Sequence, residues 1–254
     1  MPKARRQPLT AQRLPRRPEV VPEADQQRLK RLERLDRLQA ASDQGAWALT
    51  AAQMQGLMDY LALLQRWSKV YNLTALREPD DMFSHHLLDC LAVLAPLRRW
   101  LAHAAGPRPR LLDVGSGAGL PGVLLALLHP AWTVHCVDTV SKKAGFIRQV
   151  ALELRLPNLH SLHARVEALQ PAQGVYDLIT SRAFASLADF TTLSAHLLAP
   201  KGVWMAMKGK LPADEQAQLP AGVAVFHVEQ LQVPGLDAQR CLVWMRPDSA
   251  AAPA

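Results

Sequence analysis

Asp113-Val114-Gly115-Ser116-Gly117-Ala118-Gly119-Leu120-Pro121-Gly122 is the stretch on which the reading of this chain turns. The residues over 110–114 (RLLDV) read as a buried strand, and the apolar segment over about 120–128 reads as a helix. A Gly-rich turn between a strand and a helix lets the backbone come close to a bound molecule. The free N–H groups at the helix start favour an electron-rich group there. Asp138 stands 23 residues beyond Gly115, at the end of the next predicted strand. An acid in that place can accept hydrogen bonds from both hydroxyls of a ribose. The spacing is D-x-G-x-G-x-G and not G-x-G-x-x-G, because the sixth position is Leu120. That departure opposes a nicotinamide oxidoreductase.

Working outward, strands are expected over 132–138, 159–164, 176–181 and 202–209, with helices over 141–155 and 186–199 between them. Ser186 opens the second of these helices, and a short helix is expected near 212–219. The last two strands, 223–231 and 240–246, are too close in sequence for a crossover, so one must run antiparallel. The expected fold is α/β: a Rossmann-like, seven-stranded, mostly parallel sheet with an antiparallel terminal hairpin and an N-terminal helical extension. In that extension Thr50 and Gln53 form a capping box for a helix over 51–68. Pro79 and Asp80 open a second helix, over 81–95, ending near Pro96. Leu29, Leu32, Leu35 and Leu38 mark an amphipathic helix over 24–41, packed on the domain with its arginines solvated. The expected division is a disordered basic tail over 1–22, a helical region over 23–100 and a ligand-binding domain over 101–248.

The chain has 254 residues and a formal net charge of +7. Of this, residues 1–18 carry +6, residues 19–45 carry −1, and the remainder only +2. The basicity is therefore mostly a proline-rich start, and an RNA partner would have to meet a local basic cleft. Hydrophobic residues are 49% and charged residues 20%, which excludes wholesale disorder. Three scattered cysteines, Cys90, Cys136 and Cys241, argue against a disulfide framework or a cysteine zinc site and fit a reducing compartment. The nine histidines form no metal constellation, since His85 and His86 are adjacent and point apart. The apolar run over 120–128 is too short for a bilayer, and the start lacks the apolar core of a secretory signal. A cytoplasmic protein is expected, with no membrane partner, and nothing demands more than a monomer.

The D-x-G-x-G-x-G turn resembles the S-adenosylmethionine (SAM) motif of class I methyltransferases. In that family an acid near the turn receives the methionine ammonium. The end of the fourth strand reads Ser181-Arg182-Ala183-Phe184, without the proline pair common in amino-group methyltransferases. No cysteine is placed for a pyrimidine-carbon enzyme. An acceptor that already offers a lone pair remains. Further blocks make the match closer. Arg66-Trp67-Ser68-Lys69-Val70-Tyr71-Asn72-Leu73-Thr74, His86-Leu87-Leu88-Asp89, Ala164-Arg165-Val166-Glu167, Ser181 to Leu187, Lys208-Gly209 and Leu231-Gln232-Val233-Pro234 resemble the bacterial 16S rRNA (guanine-N7) methyltransferase family, also called the glucose-inhibited division protein B family. The resemblance covers about residues 28–246.

The resemblance implies SAM as methyl donor and 16S rRNA, in the small ribosomal subunit or its precursor, as partner. The family target is guanine 527, in a conserved loop near the decoding centre. It implies that Gly115 and Leu120 line the SAM site, that Val166 and Glu167 border the adenine, and that Arg182 lies at cofactor and acceptor as the catalytic, positioning residue. Asp138 is the ribose candidate, with Gly117 and Gly119 supporting the loop. Lys142, Lys143, Arg148, Arg165, Lys208 and Lys210, near predicted strand ends, are candidates for phosphate contact. Asn72 and His86 are read as structural, by capping or core hydrogen bonding, and Trp47, Trp67 and Trp100 as packing residues. A SAM enzyme acting on a small molecule and a noncatalytic ribosome-binding protein on the same fold are the competing readings.

The charge distribution makes a first prediction. Removing residues 1–22 should weaken salt-sensitive RNA affinity but leave SAM binding and target choice unchanged. Calorimetric SAM titration and mapping of the methylated nucleotide test it. Lost SAM binding, or a different methylated guanine, would contradict it.

Overall fold

Apolar runs that need cover on both faces drive the seven predicted strands into one sheet. The computed structural model describes residues 23–43, 47–104, 108–171, 175–184, 186–210 and 213–248. The basic start over 1–22 lies outside them. The strands are β1 (Arg110–Val114), β2 (Thr133–Asp138), β3 (Leu159–His163), β4 (Tyr176–Arg182), β5 (Leu198–Lys208), β6 (Val223–Leu231) and β7 (Arg240–Pro247). Their order is β3-β2-β1-β4-β5-β7-β6. All pairings from β3 through β5 are parallel, and β7 runs antiparallel between β5 and β6. The strand order reverses between β1 and β4. In open α/β sheets the ligand crevice lies at the carboxyl ends beside such a reversal.

The helices are α1 (Glu23–Asp43), α2 (Ala51–Tyr71), α3 (Pro79–Met82), α4 (Asp89–Leu91), α5 (Leu94–Ala104), α6 (Gly122–Leu128), α7 (Ser141–Glu153), α8 (Leu187–Ser194) and α9 (Ala213–Ala217), with a π-helical turn, Phe83–Leu88, between α3 and α4. Alternation along the strands assigns each side chain to a layer. Leu111, Val134, Cys136 and Leu178 join the core beneath α2, α6, α7 and the π-helical turn. Leu112, Val137 and Ile179 join the opposite core, with Leu187 and Phe190 of α8. Two helix starts follow the sequence. Thr50 Oγ1 accepts the Gln53 N–H at 3.2 Å while the Gln53 side chain accepts the Thr50 N–H at 2.9 Å. Ser186 Oγ accepts the Asp189 N–H at 2.9 Å.

Three expectations need correction. The helix expected over 81–95 is instead α3, the π-helical turn and α4, with the break at 92–93. Pro96 does not end it. Pro96 sits in the first turn of α5, where its missing N–H has no partner to lose. The helix expected over 186–199 stops at Ser194, and β5 begins at Leu198, not 202. Ser194 Oγ bonds back to the Phe190 carbonyl at 2.6 Å and accepts the Trp204 indole N–H at 3.0 Å, which fixes the exit. Finally, α1 does not bury its leucine stripe evenly, and of its four arginines only Arg28 and Arg37 are exposed. Leu29 and Leu32 are about half exposed, whereas Arg34 is buried. Arg31 and Arg34 reach Asp59 and Asp80, each at 2.7 Å. Trp47 is buried, Trp67 packs on Phe146, and Trp100 stacks on Trp244.

The start of α6 leaves no room for a side chain. A Cβ on Gly122 would lie 2.4 Å from Cys136 Sγ and 2.9 Å from Asp113 Oδ2. Gly122→Ala should therefore cost about 1–3 kcal/mol of stability in urea unfolding. A double-mutant cycle with Cys136→Ala should return part of that cost, and strict additivity would refute the packing argument.

Candidate active site

Period-two alternation turns Asp113, Asp138 and Arg182 toward the layer that carries Leu111, Cys136 and Leu178, at the carboxyl ends of three neighbouring strands. Asp113 is fully buried. Its Oδ2 accepts the Gly122 N–H at 2.9 Å, and its Oδ1 has no partner among the described residues. Burial pushes its carboxyl up to about 7, against the Gly122 bond and the Arg182 charge, which pull it down.

The glycine loop is fastened to β2. Ser116 donates its N–H to the Val137 carbonyl at 3.1 Å. The Asp138 carboxylate accepts two main-chain N–H groups, Gly117 at 2.9 Å and Val140 at 2.8 Å, with Lys143 Nζ at 3.9 Å. Gly115 and Gly119 hold φ of +65° and +86°. A Cβ at Gly119 would lie 2.3 Å from Val123 Cγ2, and one at Gly115 would lie 3.4 Å from the Phe184 ring. From the other side Tyr60 Oη donates to the Ala118 carbonyl at 2.9 Å, tying α2 to the loop.

A crevice of about 350 Å³ opens beside this loop. It brings together four of the expected cofactor residues, Gly115, Asp138, Val166 and Glu167, with Phe184 on one wall. Gly117 adjoins it through its bond to Asp138, whereas the Leu120 side chain is buried in the core. The Glu167 carboxyl is held below its usual range by its own backbone N–H and then by Arg165, 3.3 Å away.

Arg182 stands apart from that crevice, against the π-helical turn. Its Nη1 donates to the His85 carbonyl at 3.1 Å and approaches Asp89 Oδ2 at 3.5 Å. Its Nη2 lies 3.2 Å from His86 Nδ1. A guanidinium only donates, so Nδ1 is the acceptor and Nε2 carries the proton, donated to Thr74 Oγ1 at 2.6 Å. Burial and the Arg182 charge lower the His86 pKa to about 4, so the ring is neutral near pH 7. Asp89, itself buried, also accepts Arg240 Nε at 2.7 Å on its other oxygen. Ala183 then takes a left-handed φ of 62°, and the chain turns to set Phe184 in the crevice. A non-glycine residue in that conformation is uncommon and concentrates at functional sites.

Thr74, Asp89 and Arg240 receive no role from the sequence. Asp89 has one usable signal, its three-residue spacing from His86 in a helical segment. Arg240 has none. Asn72 closes α2 in a left-handed conformation with φ of 50°. Of the basic candidates, Lys142, Arg148, Arg165 and Lys210 are exposed, Lys143 faces Asp138, and Lys208 is largely covered and bonded to Glu215 at 2.8 Å. All three cysteines are buried and none is in a disulfide among the described residues. Burial pushes the Cys90 thiol up to about 12 and Cys136 well above its ordinary value, so neither is a ready nucleophile. Among the described residues no helix is long and apolar enough to cross a membrane.

Residues 53–243 match the family model for rRNA small subunit methyltransferase G. The chain is 62% identical over 208 residues to the ribosomal RNA small subunit methyltransferase G of Albidiferax ferrireducens, covering 79% of this chain and 92% of that protein. It is 58% identical over 232 residues to the protein of the same name from Verminephrobacter eiseniae, covering 85% and 95%. Among solved structures, a point mutant of MtNAS shares the fold with a TM-score of 0.50 at 13% identity, covering 77% of this chain and 74% of that one.

Asp113 gives this site a pH signature. The folded protein keeps the Asp113 proton up to about pH 7, whereas an unfolded chain releases it near pH 4. Between those values the folded state binds more protons, so this group's stabilisation is full at low pH and is lost as pH rises toward 7. Urea unfolding at pH 5 and pH 8 should show a smaller loss for Asp113→Asn than for the wild type. Equal losses would contradict the assignment.

Proposed function

The chain belongs to the rRNA small subunit methyltransferase G family, and on that footing we propose that it transfers the methyl group of SAM to N7 of a guanine in 16S rRNA. The observation that carries the proposal is that the carboxyl ends of β2, β1 and β4 carry Asp138, the buried acid Asp113 and Arg182 side by side, with the crevice at Gly115, Asp138 and Glu167 opening next to the glycine loop.

The residues present fit SAM. The unpartnered Oδ1 of Asp113 suits an ammonium. The Arg182 Nε–H, which makes none of the bonds described above, suits a carboxylate. Each Asp138 oxygen accepts one main-chain N–H and keeps a second lone pair for a ribose hydroxyl. Val166 and Glu167 would border the adenine. When bound, SAM supplies an electrophilic methyl on a sulfonium.

Guanine N7 is a lone-pair acceptor without a proton, so no general base is needed. The site has to hold that lone pair in line with the methyl and sulfur. His86 fits such a site as a positioning group, since both ring nitrogens are engaged and the ring is neutral. The product guanine is cationic, so Arg182 serves better on the SAM carboxylate than aimed at N7.

Incubation with labelled SAM and 30S subunits or naked 16S rRNA should place label in the RNA as 7-methylguanosine, at the family's guanine. Label confined to small metabolites would refute the proposal. Arg182→Ala should weaken SAM binding roughly tenfold to a hundredfold, the range for a hydrogen bond to a charged group. Unchanged SAM affinity with unchanged methylation would remove Arg182 from the site.

A further inference from the structure

We propose that the groove between α1 and α2 carries the single-stranded RNA flanking the target guanine and leads it to Arg182; this rests on the methyltransferase reading above. The groove has a volume of about 670 Å³ and is walled by the first half of α1, the second half of α2 and the start of α3. Arg28, Lys30 and Lys69 line it, all exposed and in no ion pair with the described residues, and Arg77 lines its end. Arg31 and Arg34, also in its wall, neutralise Asp59 and Asp80. Glu23 and Glu78 are the only acidic lining residues among those described. The lining is thus basic although the chain beyond residue 45 is close to neutral. The Ser68 hydroxyl, in the same wall, is buried without a partner among the described residues.

The groove is joined to the site by a short strap of chain. Arg77 Nη1 donates to the Ser68 carbonyl at 3.3 Å, and its Nη2 donates to Asn72 Oδ1 at 2.8 Å. Within the strap, Thr74 Oγ1 receives His86 Nε2 at 2.6 Å, and His86 holds Arg182. Beyond the groove's lining, on the last turn of α2 directly after Lys69, Val70 is 70% exposed and Tyr71 43% exposed. The Tyr71 ring is braced by Trp67, with centroids 5.2 Å apart. Cations spaced along a groove, with a braced, exposed aromatic on the helix turn that follows it, are what an unpaired RNA strand needs. The cations neutralise phosphates, and the ring offers a face for a base. A double helix presents its bases edge-on and would leave the Tyr71 ring unused.

The test uses the full chain and three sets of substitutions. Arg28→Gln, Lys30→Gln and Lys69→Gln together neutralise the groove. Arg155→Gln, Lys201→Gln and Arg246→Gln together remove equal charge from exposed positions before β3, in β5 and in β7, along the opposite, amino-end edge of the parallel strands. Tyr71→Ala removes the ring. The probes are 30S subunits with labelled SAM, and a mixed-sequence single-stranded RNA oligonucleotide followed by fluorescence anisotropy over a salt series. The groove variant should raise the KM for 30S subunits at least about fivefold and lower the salt slope of oligonucleotide binding by about 2, at roughly 0.7 per phosphate contact. Its kcat, SAM affinity and melting temperature should stay at wild-type values. Tyr71→Ala should weaken oligonucleotide binding roughly tenfold, and the opposite-edge variant should change neither measurement by as much as twofold. An unchanged KM and salt slope in the groove variant overturn the proposal, as does an equal loss in the opposite-edge variant. A raised KM with unaltered oligonucleotide binding also overturns it, and would assign the groove to a protein of the subunit. A wild-type chain that labels no rRNA refutes the methyltransferase reading itself, whereas wild-type labelling with an intact KM in the groove variant refutes the groove alone.

Discussion

A carboxylate sealed from water organises this molecule. Burying Asp113 is unfavourable unless its oxygens find donors, and the main chain supplies one at Gly122. That bond requires α6 to begin close to the tip of β1, and it requires the residue there to have no Cβ, because Cys136 and Asp113 fill the space. The glycine loop between them is then short enough to be held by β2 through Val137 and Asp138, and by α2 through Tyr60. The second oxygen remains unsatisfied within the described residues.

The same economy of charge governs the Arg182 side. Asp89 sits between two guanidiniums, one from β4 and one from β7, in a region with little water to screen them. A charged imidazole there would be stripped of water and would face the Arg182 guanidinium, and the depressed pKa of His86 expresses burial first and that charge second. The π-helical turn provides the His85 carbonyl and the His86 ring, two acceptors from adjacent residues, to one arginine. Such turns occur frequently at functional sites. Ala183 completes the division of labour, sending Arg182 toward the helical layer and Phe184 toward the crevice.

What can be read from the sequence is local or periodic. The glycine loop, the capping box at Thr50, the cap at Ser186 and the alternation along β1, β2 and β4 each declare themselves within a few residues. Asp138 is legible for the same reason, by its place at a strand end. Interactions across long separations leave no such trace. Arg182 and Arg240 meet Asp89 from 93 and 151 residues away, and no window of sequence contains both partners. Arg34 has the look of a solvated helix residue until Asp80 is placed beneath it, and Lys208 that of a free cation until Glu215 is. The end of α8 escapes a sequence reading because Ser194 serves the Trp204 indole, a partner in the next strand.

The place of β7 in the sheet bears on how the chain acquires its shape. β6 is made before β7 but is separated from β5 by it, so β6 has no neighbour to pair with until β7 has entered between them. Arg240 is the first residue of that inserted strand and the last member of the Asp89 cluster to be synthesised. During synthesis, then, Asp89 and Arg182 are made long before the second guanidinium that shares the carboxylate, and a nine-residue strand waits unpaired. Completion of the cluster and closure of the sheet both wait for this strand, so a nascent protein lacking it has neither a finished sheet nor a finished site.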